Sequence, residues 1–404
     1  MSSGISSKPE QAGHGSPFLS FSTVYNNYFI PEELDELMDT SEEEQHKYSI
    51  LEGDIFLTRT SEVIDELAMS SVALNNYPNA TYSGFLKRLR PLQDNITYHK
   101  FMAFYLRSKL FRKTMTNNAV LTLRASLNEN IFSYLDLILP DYKEQLKTGD
   151  LLYLISQKIE LNNRINAELE TMAKTLYDYW FVQFDFPDEN GKPYKSSGGK
   201  MVYNQTLKRE IPEGWDVKEL SRVLETSLGG TPSTKEPRYW EEANIPWLNS
   251  GEISNFPIIN SEDYIAQEGI NNSAAELLPK GSVVISIVRY IRPSILGINA
   301  ATNQSVVGIY ETSTLNHSFI YPLLINDVPR LMSLRTGAQQ PHINKGVVDA
   351  ILITIPCEDV LKQYYCVATP IYKKLMTVAF EIKQLTQLRD WLLPMLMNGQ
   401  VTVK

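Results

Sequence analysis

The sequence predicts an α+β protein in which two similar modules are separated by an antiparallel two-helix coiled coil. Two long helical stretches each follow an apolar segment that ends in a proline, first at Pro140 and again at Pro356, 216 positions later. The same offset relates Leu169 to Leu385. A period of this length lies far above the roughly 20–50 residues of a solenoid repeat and indicates a duplicated domain.

The length of the two helical stretches favours a spacer over a helix packed within one module. About 30 residues at 1.5 Å per residue span roughly 45 Å, which is longer than a compact module needs. If the first helix leaves the first module and the second returns from the second module, the two helices meet antiparallel. The modules are then expected at opposite ends of a rigid spacer.

Local patterns place the elements of the first module in chain order. Residues 1–15 are small and polar and predict a flexible tail. Aromatic and β-branched residues, glycine turns and helical spacing then predict a strand and turn at 18–28, an acidic helix at 32–45, a turn and strand at 53–59, a helix at 98–112 and a strand at 131–140.

The repeat also sets the expected domain bounds. These are a first module over 16–146, a first spacer helix over 147–185, a linker rich in Pro, Gly, Ser and Lys over 186–210, a second module over 211–364 and a second spacer helix over 365–404. Pro246 matches Pro17 at an offset of 229. At this offset most of residues 211–240 would map before residue 1, so we expect the first module to lack its opening segment.

Apolar residues at spacings of three and four predict the seam between the two spacer helices. The pattern is interrupted at Asn162 in the first helix and is cleaner in the second. The predicted seam and partner-facing residues are Ile155, Ile159, Leu169, Met172, Leu176, Leu375, Val378, Ile382, Leu385 and Leu392.

Composition restricts the class of protein. A hydrophobic content of 43% with 21% charged residues is ordinary for a globular protein, and no apolar run approaches the roughly 20 residues of a membrane span. The two cysteines, Cys357 and Cys366, lie at no metal-ligand spacing and favour a reducing cytoplasm. The net charge of -9 weighs against nucleic acid only weakly, because the acids cluster at 31–44 and a basic face remains possible.

The sequence carries no motif for catalysis, a metal or a cofactor. Gly198-Gly199-Lys200 lacks the upstream glycine and the following Ser or Thr of a phosphate-binding loop. No G-x-G-x-x-G follows a predicted strand, and the five histidines are scattered. We therefore expect a chain that makes and breaks no bonds and needs no cofactor.

The strongest binding candidates are two arginines and a tyrosine that follow a predicted apolar strand. Arg289, Tyr290 and Arg292 come directly after the apolar segment 283–287, and arginine can hold guanine or a phosphate. The equivalent position of the first module carries Arg59, Thr60 and Ser61. The alternative is the end of a surface strand with solvated arginines.

Two further polar segments are candidates for binding DNA. Arg335, Gln339, Gln340 and Asn344 lie in a loop whose amides suit adenine, although Gly337 and Pro341 equally favour a structural turn. A glycine-rich turn offers hydroxyls and a cation that could hold a phosphate, and an ordinary loop is its alternative. Its candidate residues are Thr231, Ser233 and Lys235.

Several segments resemble the specificity subunits of type I restriction–modification enzymes. The central region carries the resemblance through LYDYWFVQFDFP at 176–187, GKPYKSSGGK at 191–200 and IPEGW at 211–215. GGTPS at 229–233, followed by IPWL at 245–248, resembles the opening of a target recognition domain. LLPMLMNGQV at 392–401 resembles the C-terminal end of the family.

This resemblance implies two target recognition domains, each of which reads half of a bipartite site in double-stranded DNA. It also implies two methyltransferase (modification) subunits docked on the helices, restriction subunits joined through them, and no catalytic activity in the chain itself. A scaffold or decoy that binds methyltransferase subunits without reading DNA is the alternative, which the acidic charge favours slightly.

Overall fold

The computed structural model describes residues 1–6, 8–61, 67–118, 120–121, 125–126 and 137–403. The chain divides into two compact units, which are described separately. Unit 1 comprises Met1–Glu160 and Gln384–Lys404, and unit 2 comprises Leu161–Lys383. Both units contain helices and strands, so the predicted α+β class is confirmed.

The described residues of unit 1 form a four-stranded sheet, ordered β1-β8-β4-β6, and two three-stranded sheets, ordered β3-β2-β7 and β5-β10-β9. Its strands are β1 Ser2–Ser3, β2 Ala12–Leu19, β3 Leu37–Met38, β4 Ile55–Thr58, β5 Thr60–Ser61, β6 Ser70–Val72, β7 Thr81–Tyr82, β8 Leu86–Leu89, β9 Val120–Leu121 and β10 Ala125–Ser126. Its helices are α1 Phe21–Asn26, α2 Glu42–Lys47, α3 His99–Tyr105, α4 Lys109–Asn118 and the first part of α5 Tyr142–Tyr177.

Unit 2 contains a four-stranded sheet, ordered β14-β20-β17-β18, a three-stranded sheet, ordered β16-β15-β19, and the pairs β11-β12 and β13-β21. Its strands are β11 Met201–Asn204, β12 Arg209–Pro212, β13 Asp216–Glu219, β14 Thr226–Leu228, β15 Ile245–Leu248, β16 Asp263–Ile265, β17 Val283–Ser286, β18 Arg292–Ile295, β19 Ala301–Thr302, β20 Val306–Ile309 and β21 Leu352–Ile355. Its helices are the rest of α5, α6 Gln267–Asn271, α7 His317–Ser333, α8 Lys345–Asp349 and most of α9 Glu358–Met397, whose last part, from residue 384, belongs to unit 1.

The strand registers confirm that the two units are copies of one plan. In unit 1, β2 runs parallel to β7 and places Leu19 opposite Tyr82, while in unit 2, β15 runs parallel to β19 and places Leu248 opposite Thr302. The four-stranded sheets share one order of antiparallel neighbours. Helix α3 packs on β6, and α7 packs on β18.

The predictions of a flexible tail at 1–15 and of a missing opening segment are corrected. β1 pairs with β8, as β14 pairs with β20, and β2 already begins at Ala12. Part of the opening segment is therefore present in unit 1. Aligning the two modules with one constant offset did not reveal this segment, because its spacing to the next motif differs. Gly229 and Pro246 are 17 positions apart, whereas Gly4 and Pro17 are 13 positions apart.

Helix caps correct two further predictions in unit 1. Residues 18–28 are a strand end followed by α1, because the Ser20 hydroxyl caps the helix by accepting from the Thr23 N–H at 3.3 Å. The acidic helix begins only at Glu42, where Ser41 and Glu44 form a reciprocal capping box. The predicted strand at 131–140 lies mostly outside the described residues.

Both spacer helices begin earlier than the expected 147–185 and 365–404. α5 starts at Tyr142, where the Asp141 carboxylate accepts from the Glu144 N–H at 2.9 Å, and it continues beyond Tyr177 as a π-helical turn over Asp178–Val182. α9 starts at Glu358 and covers 40 residues. Each helix therefore begins two positions after its proline.

The predicted seam residues occupy different environments in the two helices. Ile155, Leu375 and Val378 are buried, whereas Met172 is 54% exposed. The others are half-buried, namely Ile159, Leu169, Leu176, Ile382, Leu385 and Leu392. Asn162, where the pattern breaks, is almost fully buried.

The expected linker at 186–210 is a folded part of unit 2. The ring of Phe186 stacks between Trp215 and Tyr194, at centroid distances of 5.1 and 4.6 Å. The Asp185 carboxylate accepts from the backbone and hydroxyl of Ser196, both at 2.7 Å. Glycine and lysine gave this segment the composition of a linker, but its aromatic residues anchor it.

Arg107 ties the end of α3 to the neighbouring loops of unit 1. Its guanidinium donates to the backbone carbonyls of Ser70, Val24, Tyr25 and Asn27 at 2.6–2.9 Å. Burial lowers the pKa of Arg107 to about 10, so the group keeps its charge at neutral pH. A half-buried cation that bonds to these carbonyls is costly to remove, because the carbonyls then lose their partner.

We predict that Arg107→Ala destabilises unit 1 by about 3 kcal/mol, since charged hydrogen bonds are lost and buried carbonyls stay unpaired. Hydrogen–deuterium exchange should show faster exchange around residues 20–30 and 67–75, with peptides of unit 2 unchanged. Lys109→Ala, at an exposed position two residues later, is the control. Equal protection in both variants would contradict the structural role.

Candidate nucleic-acid interface

Three chain segments converge at one end of the four-stranded sheet of unit 2. Because neighbouring strands are antiparallel, the ends of β14 and β17 lie beside the starts of β20 and β18. The segments at this end are 229–235 after β14, 303–305 before β20 and 287–291 between β17 and β18. The sheet order therefore brings together residues that are far apart in sequence.

The turn between β17 and β18 presents the two predicted arginines. Arg289 is exposed and has a φ of 61°, a left-handed conformation that side chains other than Gly and Asn rarely adopt. Its N–H donates to Pro341 O at 2.7 Å. Tyr290 is exposed, and the guanidinium of Arg292 lies 5.1 Å from its ring centroid.

The loop at 335–344 packs beside this turn. Thr336 and His342 exchange two backbone hydrogen bonds of 2.9 Å, and His342 also bridges to Val288. The exposed Gln339 and Gln340 lie at the tip of the loop. The loop that carries these amides therefore adjoins the turn that carries Arg289.

Two residues of this loop that were predicted to contact DNA form hydrogen bonds within the fold. The half-buried Arg335 donates to the carbonyl oxygens of Met332 and Arg289 and so joins the two loops. The Asn344 amide oxygen caps α8 by accepting from the Val347 N–H at 3.1 Å. Polar residue type alone could not distinguish such internal ties from free reading groups.

The glycine-rich turn lies at the same end of the sheet. The Thr231 hydroxyl bonds to the side chain of Gln304, which belongs to the turn before β20. Ser233 O accepts from the Trp240 indole N–H at 3.1 Å, and Lys235 is exposed. Sequence reasoning missed Gln304, because its place in a tight turn becomes significant only when the sheet order is known.

This end of the sheet is basic in a chain of net charge -9. The segments 228–235, 286–306 and 335–344 contain Lys235, Arg289, Arg292 and Arg335 but no Asp or Glu. Local charge rather than net charge determines attraction to a polyanion over a Debye length of about 8–10 Å. The arrangement can therefore bind phosphates and present arginine and amide groups to base edges.

An apolar cavity of about 580 Å³ lies beneath the arginine turn. Phe256 and Tyr321 stack within it at 4.3 Å, and the Tyr321 hydroxyl donates to Glu170 of α5 at 3.1 Å. Burial, followed by the charge of Glu170, raises the pKa of Tyr321, so the phenol stays protonated and keeps this bond. α5 is thereby fixed to the body of unit 2.

The equivalent end of the sheet in unit 1 carries Arg59. Its backbone N–H donates to Phe85 O at 2.8 Å, as the Ile287 N–H donates to Ser305 O at 2.9 Å in unit 2. Arg59 is exposed, and one of its guanidinium N–H groups reaches Gly84 O at 3.5 Å. Thr60 and Ser61 form β5, and their side chains lie outside the described part of the structure.

Within the described residues, no group of three or more His, Cys, Asp or Glu could hold a metal ion. None of their helices is both long and apolar enough to cross a membrane.

Three proteins with similar sequences are described as specificity subunits of type I restriction enzymes. Two are the specificity subunit of the type I restriction enzyme HindI from Haemophilus influenzae, 24% identical over 95% of this chain and 94% of that protein, and the specificity subunit of MjaIX from Methanocaldococcus jannaschii, 24% identical over 82% of this chain and 75% of that protein. The specificity subunit of EcoR124I/EcoR124II from Escherichia coli is 30% identical over 34% of this chain and 36% of that protein.

The fold is also similar to a solved structure. The S subunit of a type I restriction–modification system from M. genitalium matches with a TM-score of 0.60 and 14% identity, covering 98% of this chain and 92% of that one. The sequence matches the family described as "Type I restriction modification DNA specificity domain" at residues 4–171 and again at 212–366. The chain therefore belongs to the family of type I restriction–modification DNA specificity subunits, with two recognition domains.

Proposed function

We propose that this chain reads both halves of a bipartite DNA site for a type I restriction–modification complex and catalyses no reaction itself. Each unit reads one half with the end of its four-stranded sheet. The observation that carries the proposal is the basic end of the sheet in unit 2, where the segments 228–235, 286–306 and 335–344 contain four Lys or Arg residues and no Asp or Glu, within a chain whose net charge is -9. Two readers on one chain raise the affinity for a bipartite site through effective concentration.

The reading groups of unit 2 divide by chemistry. Arg289 and Arg292 suit guanine O6 and N7 or a phosphate, and the exposed amides of Gln339 and Gln340 suit adenine. Thr231, Ser233 and Lys235 suit the phosphate backbone, which fixes register without reading sequence. Arg335 and Asn344 act indirectly, because they hold the loop that carries the glutamines.

The long helices offer a surface for a partner protein. In unit 2, a groove of about 400 Å³ lies between α5 and α9. It includes the exposed Met172 and Val367. Exposed apolar side chains grouped on one face are typical of protein–protein contacts.

Unit 1 carries a similar apolar face on α9. Leu388 lies 216 positions after Met172, and Trp391 lies 216 positions after Thr175 of the unit 2 groove. Leu388 and Trp391 are three residues apart and therefore share one face of the helix, and Trp391 is 63% exposed. One apolar face in each unit supports docking of two copies of the same partner. We assign these faces to two methyltransferase subunits, through which restriction subunits would join.

The assembled complex tests the DNA-reading role. We predict that removing the charge of either Arg289 or Arg292 lowers the affinity of the complex for the DNA sequence that it methylates. The expected loss is on the order of tenfold, or about 1–3 kcal/mol per arginine, because a base or phosphate contact is lost. Arg289→Asn is the appropriate variant because asparagine tolerates the positive φ of this position, and Arg292→Gln is its companion. Fluorescence anisotropy over a series of salt concentrations measures both affinity and the number of phosphate contacts.

A matched arginine serves as the control for this experiment. Arg222 is exposed and precedes β14, whose far end carries the site, so Arg222→Gln should leave DNA affinity unchanged. Affinity that is equal in all three variants would remove the two arginines from the site. A complex that assembles but binds no DNA even at low salt would support the scaffold or decoy instead.

We further predict that each apolar face holds one methyltransferase subunit. Met172→Gln with Val367→Gln, or Leu388→Gln with Trp391→Gln, should reduce the bound copies from two to one, because each pair loses a desolvated contact. Native mass spectrometry of the purified complex counts the copies, and the quadruple variant should bind none.

Leu92→Gln is the control for polarity alone, since this side chain is 96% exposed in a loop of unit 1. It should retain two copies. Two bound copies in the quadruple variant would contradict the assignment of these faces.

A further inference from the structure

An exposed phenylalanine occupies the end of the sheet in unit 1 that corresponds to the basic end in unit 2. Phe85 lies in the turn between β7 and β8 and is 62% exposed. A single exposed apolar residue is common on protein surfaces and needs no explanation by itself. The position of Phe85 within the duplicated fold is what makes it informative.

The backbone around Phe85 is fixed on every side. Ser83 N–H donates to Leu19 O at 3.0 Å, Gly84 N–H donates to Ile5 O at 2.6 Å, and Phe85 O accepts from the Arg59 N–H at 2.8 Å. The Phe85 N–H donates to the Ser83 hydroxyl at 3.2 Å. The ring is therefore presented to solvent from a rigid support, as a reading group must be.

The same turn occurs in unit 2 with different side chains. Asn303 N–H donates to Leu248 O at 2.9 Å, and Ser305 O accepts from the Ile287 N–H at 2.9 Å. The Ser305 N–H donates to the Asn303 side chain at 3.0 Å. Phe85 and Ser305 are thus equivalent positions on one backbone, and Gln304 stands where unit 1 has Gly84.

The exposed charge beside Phe85 suits an anionic partner. The flanking segments 3–6, 58–61 and 83–88 contain no Asp or Glu, and their exposed cation is Arg59, whereas Lys87 is buried and Arg88 donates to Ser49 O. A phenyl ring cannot read hydrogen-bonding groups on base edges. In the major groove, the apolar group that distinguishes one base from the others is the C5 methyl group of thymine, which aromatic and small apolar side chains contact.

We propose that Phe85 determines specificity by packing against the C5 methyl group of a thymine in the half-site that unit 1 reads. Unit 2 places the polar Gln304 and Ser305 at the same point of its fold and so selects a different base there. This inference rests on the proposed DNA-reading function and names the base that one side chain selects.

Deoxyuridine substitution in target DNA tests the contact. The target is first identified by mapping methylated positions in DNA from cells that express the complete system. Synthetic duplexes then replace each thymine of both half-sites with deoxyuridine, which removes one methyl group and leaves base pairing intact. Their affinities are measured with the assembled complex, carrying either the wild-type chain or Phe85→Ala.

We predict that one deoxyuridine substitution weakens binding of the wild-type complex by about three- to tenfold, as expected for one buried methyl group. Phe85→Ala should bind the thymine and deoxyuridine duplexes equally at that position, and should respond like wild type to every other substitution. Ser305→Ala in unit 2 is the matched control and should retain the wild-type response at the same thymine.

Three results would overturn the proposal: neither half-site contains a thymine, no deoxyuridine duplex binds the wild-type complex more weakly, or the loss persists in Phe85→Ala. If Phe85 instead inserts its ring between bases, Phe85→Ala should bind more weakly whether or not the methyl group is present. That result would also overturn the proposal. Failure of the wild-type complex to bind its methylated sequence would instead overturn the DNA-reading function. Because Phe85 is mostly exposed, its replacement should leave the exchange protection of residues 81–89 unchanged.

Discussion

Both proposed reading surfaces depend on one constraint, a glycine at which two backbone segments of the same unit come very close together. This glycine is Gly229 in unit 2 and Gly4 in unit 1. A Cβ atom at Gly229 would lie 2.3 Å from Asn303 O and 2.4 Å from Thr302 O, and one at Gly4 would lie 2.1 Å from Tyr82 O. Such distances cannot occur with a side chain present, so only glycine lets the first strand turn across the sheet at this point. The crossing fixes the turn that carries Thr231 in unit 2 and the turn that carries Phe85 in unit 1.

The arginines of the two units have two opposite roles. Arg107 and Arg335 turn inward and satisfy backbone carbonyls, whereas Arg289 and Arg292 remain exposed. The inward arginines hold loops in place, and the exposed ones remain available to an anionic partner. A count of basic residues therefore says little about binding until each guanidinium has been assigned to one of these roles.

How much of this could be predicted from the sequence depends on the range of the interaction. The helices were predictable because apolar spacing along Tyr142–Tyr177 and Glu358–Met397 is a local signal. The strand at Ser2–Ser3 was not, because two small polar residues form a strand only through pairing with Lys87 and Arg88. The helix after Ser20 was missed for a similar reason, since one cap overrode the β-branched and aromatic residues around it.

The residues of the candidate site also differ in whether a local or a long-range signal identifies them. Arg289, Tyr290 and Arg292 were recognisable because they follow an apolar strand directly, but Gln304 and Phe85 become significant only through the order of strands in the sheet. The backbone hydrogen bonds of the two turns agree almost bond for bond, while the exposed side chains differ completely. Changing an exposed tip residue costs the fold little, whereas changing Gly4 or Gly229 would displace the strand beside it. Two copies of one scaffold can therefore come to read different bases while their backbones stay the same.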